Sequence, residues 1–588
     1  MFAAYANYVP VAMEDPEAPQ KVVGEALGEI AAAAYDSPPL EKVTQASSET
    51  YDVIIRNGRI IDGSGNPWIS GDLAIRGDRI AAIGHVDPSA TAKRIVDASG
   101  LVVSPGFIDM LGQSEYDLLI DNRSLSKLSQ GITTEITGEG MSVAPHNANT
   151  LASLQPELDR YNLKVDWITL GEYFTRLEKS GTPLNIGTYV GAAQIREAVI
   201  GDDDRAPTPE ELQRMKSLVA QAMQEGAFGI STALIYPPGH YAKTDELIEL
   251  AKVASEYGGI YASHMRSEGQ TEMAAINEAL RIGREAHLPV EIFHLKVIGK
   301  PRWGSMPKVV AKIQAARDSG QDVSADMYPY VAGGTALAAS LPPWVADGGV
   351  EKLLGRLQDL ATRQRIKKEM ATEHPEWENL YLGSGGAAGI LVGGFVNPEL
   401  KKYDGQTLAQ IAAAQKKAPL DTLFDLIVED KARAGAIYFI ASEDDLRYGL
   451  KQPWTSIGLD ASELSLDGPL FEPDSHPRAL GSMPRFLGHY VRDLRLLPLE
   501  QGIRKITSLP ARRERLASRG LLKEGYFADV TIFDPERIID HATYQKPTQL
   551  SEGVKYVFVN GQLEYENGRL TGAKAGAVLR GPGWARKN

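Results

Sequence analysis

The chain of 588 residues contains no cysteine, which excludes disulfides, thiolate metal sites and a cysteine nucleophile. Basic residues are the minority among the charged ones, with 62 Lys and Arg against 76 Asp and Glu, so the net charge is -14. Nucleic acids and anionic membrane surfaces bind proteins through clustered positive charge, so we expect neither as a partner. The sequence also lacks an uninterrupted apolar run of membrane-spanning length.

The first 49 residues are rich in Ala, Glu and Pro and lack the basic and then apolar start of a signal peptide. We therefore expect a cytoplasmic protein, or a periplasmic or secreted one if a signal peptide has been removed. We interpret residues 1–49 as an N-terminal extension in which residues 21–35 form one docking helix. Such an arm is suited to subunit contacts, so we expect a homo-oligomer.

Short β-branched runs broken by Gly, Asp and Asn occupy residues 50–104, and a similar pattern returns in residues 511–588. This pattern is typical of β-hairpins. Two such segments at opposite ends of a long middle region predict one small β-sandwich built from both, with a C-terminal tail. Two unrelated β modules are the alternative.

Residues 105–510 alternate strand-like runs with helix-like stretches, which predicts an α/β fold of the (β/α)8 TIM-like barrel type. The eight strand-like runs are 106–111, 132–138, 184–191, 228–234, 259–264, 290–296, 322–328 and 455–460. The last two runs are separated by far more than a loop. We therefore expect a partly helical insertion at about 341–445, over the barrel mouth. A helix is predicted at 207–226, with Thr208 as its N-cap and Glu211 completing a capping box.

His264, His294 and Asp460 each lie at or near the end of one of these runs. Because the carboxyl ends of barrel strands converge on one face, the three side chains are expected to meet there. Neutral imidazole suits Zn²⁺, and one carboxylate completes three protein ligands while leaving a position for water. Glu139, between two glycines after the second run, is the best candidate, with a turn residue as the alternative. Glu135, inside the strand, is held in reserve.

Several longer motifs are familiar as a set: PGFID at 105–109, SHMRSEG at 263–269, FHLKVIGKPRWG at 293–304 and HPRALGSMPRFLGHY at 476–490. With them, the chain resembles the amidohydrolase superfamily, and within it the D-aminoacylase (N-acyl-D-amino-acid deacylase) group, over about residues 50–570. The resemblance implies a (β/α)8 barrel with a flanking β-sandwich, a divalent metal and hydrolysis of an amide bond.

The chain departs from the family where a His-x-His motif usually follows PGFID, because Leu111 and Gln113 occupy the histidine positions. Glu139 likewise stands where many members have a cysteine ligand. The set therefore looks like the single-metal arrangement of some N-acetylglucosamine-6-phosphate deacetylases. We expect Gln113 and Glu115 to line the vacated metal pocket and to contact the substrate.

The resemblance implies one Zn²⁺ per chain on Glu139, His264 and His294, although nitrogen and oxygen ligands also accept other divalent metals. Asp460 is the expected proton acceptor from water and donor to the leaving amine, with a helix N-cap as the alternative role. The expected contacts to a small N-acyl amino acid are Lys296, Tyr236, Tyr328 and Arg478. A salt bridge for the lysine and simple packing for the tyrosines remain open.

Other amides remain alternatives: N-acyl-L-amino acids, dipeptides, aryl amide conjugates, cyclic amides and N-acetylhexosamines. A barrel does not determine the substrate, so activity must be argued from the site. A barrel that binds a ligand without catalysis is the alternative from another class. The joint presence of His264, His294 and Asp460 is the argument against it.

Overall fold

The computed structural model describes residues 50–584, which belong to one compact unit. The expected N-terminal extension and its helix at 21–35 lie outside the described residues. Among residues 50–584, no helix combines the length and the apolar character needed to cross a bilayer.

The first five strands belong to one sheet: β1 (Thr50–Ile60), β2 (Ile69–Arg76), β3 (Arg79–Gly84), β4 (Thr91–Asp97) and β5 (Val102–Pro105). β1 pairs antiparallel with β2 along one edge and parallel with β4 and then β5 along the other. Val53, Ile55 and Leu73 are buried in the apolar core of this sheet. The β-branched pattern of the sequence therefore becomes a branched sheet with its own core.

The next eight strands are parallel: β6 (Phe107–Asp109), β7 (Ile132–Thr137), β8 (Asn185–Thr188), β9 (Val190–Gly191), β10 (Gly229–Ala233), β11 (Ile260–His264), β12 (Val290–Ile292) and β13 (Val323–Met327). β8 pairs with β7, whereas β9 pairs with β10, so the two are halves of one strand interrupted at Tyr189. Buried apolar side chains such as Ile136, Phe228 and Phe293 form one cluster in the space that these strands enclose.

A separate antiparallel sheet interrupts the barrel: β14 (Ala332–Ala336), β15 (Ile390–Gly393), β16 (Gln406–Thr407) and β17 (Gly435–Phe439). It begins upstream of the expected start of the insertion near residue 341, because β14 pairs along its length with β17. This sheet and its helices enclose their own apolar core, which includes Leu357, Ile390 and Phe424.

The barrel resumes at β18 (Thr455–Ile457), which pairs in parallel with β13. Closure onto β6 is made by hydrogen bonds beyond the strand: Asp460 N donates to Leu111 O at 2.7 Å, and Leu459 N donates to Asp109 Oδ1 at 2.8 Å. Counting β8 and β9 as one, eight strands close in the order that the sequence predicts. The predicted (β/α)8 barrel is confirmed.

The helix starting at Pro209 begins as predicted, because Thr208 Oγ1 accepts from Glu211 N while Glu211 Oε2 accepts from Thr208 N.

The α-helices of the described chain are Asp117–Ile120, Leu125–Leu128, Ala148–Tyr161, Leu170–Ser180, Ala192–Val199, Pro209–Glu225, Thr244–Glu256, Glu272–Ala286, Met306–Asp318, Val350–Gln358, Leu360–Met370, Leu380–Gly383, Leu408–Gln415, Pro419–Glu429, Glu443–Leu450, Arg478–Arg485, Leu499–Lys505 and Ser508–Arg513.

The last strands return to the first sheet: β19 (Val530–Phe533), β20 (Val554–Val559), β21 (Gln562–Glu566) and β22 (Arg569–Leu570). β19 pairs antiparallel with β5, so both ends of the described chain share one nine-stranded sheet, as the sequence predicts. The segment after β22 then bonds to the barrel, where Leu579 N donates to Ile186 O at 2.7 Å.

Candidate metal centre and active site

The site lies at the carboxyl ends of the barrel strands. Glu139 follows β7, His264 ends β11, His294 follows β12 and Asp460 follows β18. Two of these residues leave their strands in the left-handed region, with φ of +35° at His294 and +53° at Asp460. Strained backbone of this kind concentrates at functional sites.

Glu139, His264 and His294 converge through one atom each. Glu139 Oε1 lies 2.9 Å from His264 Nδ1 and 3.1 Å from His294 Nε2, and the two nitrogens are 3.0 Å apart. Ligands held 2.0–2.2 Å from a tetrahedral zinc ion are about 3.3 Å from one another. The three atoms therefore form a triangle of nearly the size that one zinc ion requires.

The charges around this triangle favour a cation. Burial lowers the pKa of the His264 imidazole, and neighbouring His294 lowers it further. Burial and Lys296 also lower the pKa of His294, but Glu268, Asp460 and Glu139 outweigh them and raise it above its ordinary value. Although burial raises the pKa of Glu139, its bonds to the two histidines bring it well below the usual range. One carboxylate and two imidazoles that share a proton can together bind a metal ion, which then takes the place of that proton.

Glu268 supports the triangle from outside. Its Oε1 lies 3.0 Å from His294 Nδ1, and both of its oxygens accept from Lys296 Nζ at 2.7 Å. Against the effect of burial, Lys296 and His294 hold the pKa of Glu268 at about 2. A carboxylate on the far nitrogen of a histidine fixes the tautomer that directs the other nitrogen to a metal.

Asp460 lies beside the triangle with both oxygens engaged. Oδ1 accepts from Gln113 Nε2 at 2.9 Å, and Oδ2 lies 2.6 Å from Arg478 Nη1. Burial raises the pKa of Asp460, Arg478 opposes the rise and Glu139 adds to it. A buried carboxylate with a raised pKa is suited to accepting a proton and returning it.

A cavity of about 250 Å³ opens over these residues. Apart from Glu115 and the reserve candidate Glu135, the candidate site residues from the sequence all line it: Gln113, Glu139, Tyr236, His264, His294, Lys296, Tyr328, Asp460 and Arg478. The side chain of Glu115 is buried beside Thr137 and Gly138 instead, where burial raises its pKa to about 7. The chain turns into the helix Asp117–Ile120 just after Glu115, which carries this side chain away from the cavity.

Arg478 is fixed in the cavity wall by its contacts with Tyr328 and Gly334. Its guanidinium lies 4.8 Å from the centre of the Tyr328 ring, and Nη2 donates to Gly334 O at 3.1 Å. Its buried Nε has no hydrogen-bond partner among residues 50–584. An unpaired buried donor is costly in the protein alone and is available to an anionic ligand.

The reserve candidate Glu135 does not face the cavity. Its Oε1 lies 3.1 Å from the Nζ of Lys127 and accepts from Ser114 Oγ at 2.8 Å. Lys127 also bonds Asp109 at 2.9 Å, and all three charged side chains are fully buried. Glu135 therefore belongs to an ion network beneath the site.

Three residues in or near the cavity were not predicted from the sequence. Glu268 stands four residues after a predicted ligand, and a search for an acidic partner of each histidine would have found it. His476 accepts from Arg478 N and bonds Ala332 O, while burial lowers its pKa well below the usual value. Glu378 reaches the cavity from the insertion and accepts from Ser267 Oγ at 3.3 Å. No local pattern marks Glu378, because tertiary folding alone brings it there.

Beyond Gly334 and Thr335, a second cavity of about 580 Å³ continues outward between the barrel and the insertion. Gln113, Asp460 and Arg478 line both cavities. The reacting centre is thus reached from an outer chamber whose far wall is built by the insertion.

Comparison with known proteins gives a consistent result. Residues 94–565 match the profile of the amidohydrolase family. A D-aminoacylase of Alcaligenes xylosoxydans xylosoxydans is 39% identical over 539 residues, which cover 91% of this chain and 99% of the relative. An N-acyl-D-glutamate deacylase of the same organism is 35% identical over 517 residues, which cover 87% of this chain and 93% of the relative.

Solved structures agree. The N-acyl-D-glutamate deacylase from Bordetella bronchiseptica, complexed with zinc and a phosphonate mimic of the tetrahedral intermediate, is 33% identical with a TM-score of 0.76. That match covers 90% of this chain and all of the other. A D-aminoacylase crystal structure is 36% identical with a TM-score of 0.74 and the same coverage. Another structure of D-aminoacylase concerns a binuclear metal centre with one-metal activation and second-metal attenuation.

Proposed function

Because this chain belongs to the amidohydrolase family, we propose that it hydrolyses the amide bond of N-acyl-D-amino acids with one zinc ion held by Glu139, His264 and His294. The predicted membership in the D-aminoacylase group is confirmed, and the chain is a metal-dependent hydrolase of carbon–nitrogen bonds with a small-molecule substrate. The identity and number of the metal ions and the D configuration are parts of the proposal.

The observation that carries the proposal is the convergence of three ligand atoms about 3 Å apart with a buried carboxylate beside them. Zinc in such a site supplies Lewis acidity, which lowers the pKa of water to about 7 and polarises an amide carbonyl. One ion is proposed because Leu111 has no ligand atom and the amide nitrogen of Gln113 is bonded to two carboxylates.

The remaining steps belong to the side chains of the chain. Asp460 accepts the proton of the attacking water and delivers it to the departing amide nitrogen, which leaves as an amine. The other oxygen of Asp460, Oδ2, stays paired with Arg478 Nη1 at 2.6 Å during this proton transfer. The carboxylate of the amino acid would be bound by the free Nε of Arg478 and the hydroxyl of Tyr328, since both residues line the cavity.

Metal content per chain is the first test, measured by elemental analysis on the native protein and on Glu139→Ala and His264→Ala. His146→Ala is the matched control, since this buried histidine bonds Tyr116 and Thr150 outside the cavity. We expect about one zinc in the native and control proteins and a loss in both site variants. Two ions would refute the single-metal proposal, and none would refute the metal site.

The substrate is tested with a panel of N-acetyl-D-amino acids, N-acetyl-L-amino acids, N-acetylhexosamines and a cyclic amide. We expect turnover of the D compounds that is abolished in Glu139→Ala and retained in His146→Ala. Preference for any other class on the panel would overturn the substrate assignment while leaving the metal site intact.

A further inference from the structure

The amide of Gln113 lies between two carboxylates. Its Nε2 is 2.9 Å from Glu139 Oε2 and 2.9 Å from Asp460 Oδ1. A primary amide nitrogen carries two hydrogens, one for each acceptor. The opposite orientation of the amide is excluded, because it would place a carbonyl oxygen against two anions.

The backbone around Gln113 is anchored on both sides. Gly112 N donates to Ile136 O at 2.8 Å, and Gln113 N donates to Ala461 O at 3.3 Å. A side chain at position 112 would overlap Glu135, so only glycine allows this approach. The segment therefore ties together β7 and β18, the strands after which Glu139 and Asp460 stand.

Two carboxylates directed at one point repel each other unless something positive lies between them. The outer sides of this pair are compensated, since the histidines face Glu139 and Arg478 faces Asp460. Between the two carboxylates, Glu139 Oε2 and Asp460 Oδ1 both accept a hydrogen bond from the amide of Gln113. A second divalent cation would satisfy the same two oxygens.

We propose that Gln113 is a positioning residue whose amide takes the place of a second cation and holds Asp460 Oδ1 toward the metal-binding triangle. The proposal rests on the single-metal hydrolase described above. In this arrangement Oδ2 stays with Arg478, and Oδ1 faces the point where water would be activated. Gln113 acts through Asp460 and Glu139 and does not contact the substrate.

Two variants test this role. Gln113→Leu keeps similar bulk but removes both hydrogen bonds, whereas Gln113→Glu keeps the shape and puts a third carboxylate beside Glu139 and Asp460. The control is Gln194→Leu, because Gln194 is buried and donates to Pro145 O at 2.8 Å outside the cavity. Zinc content, zinc affinity against a competing chelator, kcat and KM are measured for each protein.

We expect Gln113→Leu to retain about one zinc, with affinity and kcat each reduced about 10- to 100-fold, as when an outer partner of a metal ligand is removed. KM should change less than about threefold, because no substrate contact is lost. Gln113→Glu should take up a second equivalent of zinc, since three carboxylates around one point form a cation site. The control should match the native protein in all four quantities.

The proposal is overturned if Gln113→Leu raises KM at unchanged kcat, because that result assigns Gln113 to the substrate. It is also overturned if Gln113→Glu still holds one zinc. If Gln113→Leu does not fold, the metal count of Gln113→Glu decides. If the native protein holds one zinc but turns over none of the panel, a second zinc in Gln113→Glu supports the amide bridge although the substrate proposal has failed.

Discussion

Replacing Lys127 by methionine should destabilise the barrel strongly, although Lys127 does not itself line the cavity. Lys127 Nζ lies 2.9 Å from Asp109 Oδ2, 3.1 Å from Glu135 Oε1 and 2.9 Å from the carbonyl oxygen of Ala461. Burial alone would lower the pKa of Lys127, but the two carboxylates raise it above its ordinary value, so the ammonium stays charged. Methionine has a similar length and no charge.

The size of the effect follows from what is left behind. Removing one partner of a buried ion pair costs about 3–5 kcal/mol, because the remaining charge is buried without compensation. Glu135 can take up a proton, since burial already raises its pKa. Asp109 loses the ammonium partner of Oδ2 and keeps only the bonds that Oδ1 accepts from Leu111 N and Leu459 N. An unfolding entropy of about 2.1 cal/mol/K per residue gives roughly 1.1 kcal/mol/K for a unit of this size. The melting temperature should therefore fall by about 3–5 °C.

Thermal unfolding followed by calorimetry or circular dichroism measures this shift. Lys216→Met is the control, because Lys216 pairs with Glu249 at 2.8 Å near the surface, where such a pair contributes about 1 kcal/mol or less. Adding Glu135→Gln to Lys127→Met should recover part of the loss, since one uncompensated carboxylate disappears. Equal shifts for Lys127→Met and Lys216→Met would refute the reasoning.

Three further outcomes are expected. Burial, with help from Glu268 and Glu378, raises the pKa of Glu272 to about 9. The folded state therefore holds a proton that the unfolded state has released above about pH 4.5, and the free energy of unfolding falls as pH rises toward 9. Glu272→Gln should remove this fall and stabilise the protein more at pH 9 than at pH 5, as melting temperatures at both values will show. Glu268→Gln should weaken zinc affinity about 10- to 100-fold in a chelator titration, because His294 loses its orienting carboxylate. Arg478→Lys should lower kcat/KM about 10- to 100-fold, since a lysine cannot keep the contacts to Asp460, Gly334 and Tyr328 together; an unchanged value would contradict the role given to Arg478.

Much of the site could be predicted from the sequence because a barrel turns strand position into spatial position. His264, His294 and Asp460 are far apart in the chain, yet each stands where a strand ends, and the ends converge. The glycines around Glu139 also carry information: Gly138 and Gly140 both have positive φ and would meet neighbouring atoms if they had side chains.

The rest could not be read from the chain in the same way. Glu115 is close to Gln113 in sequence, but the turn into the following helix separates their side chains. Glu378 arrives from the insertion, whose packing depends on contacts between distant segments. The network of Lys127, Asp109 and Glu135 has no periodic signal, because its members come from three separate segments that only the fold brings together.

The sheet shared by the two ends of the described chain has a consequence for biosynthesis. Ser104 in β5 donates a hydrogen bond from Oγ to the carbonyl oxygen of Thr531 in β19, which lies 427 residues later in the chain. A ribosome adding 5–20 residues per second needs roughly 20 to 85 s to supply that partner. Through this interval β5 has an open edge, which is a template for pairing with other chains. The nascent protein is thus exposed to aggregation at the edge of β5 until β19, which covers that edge, has been made.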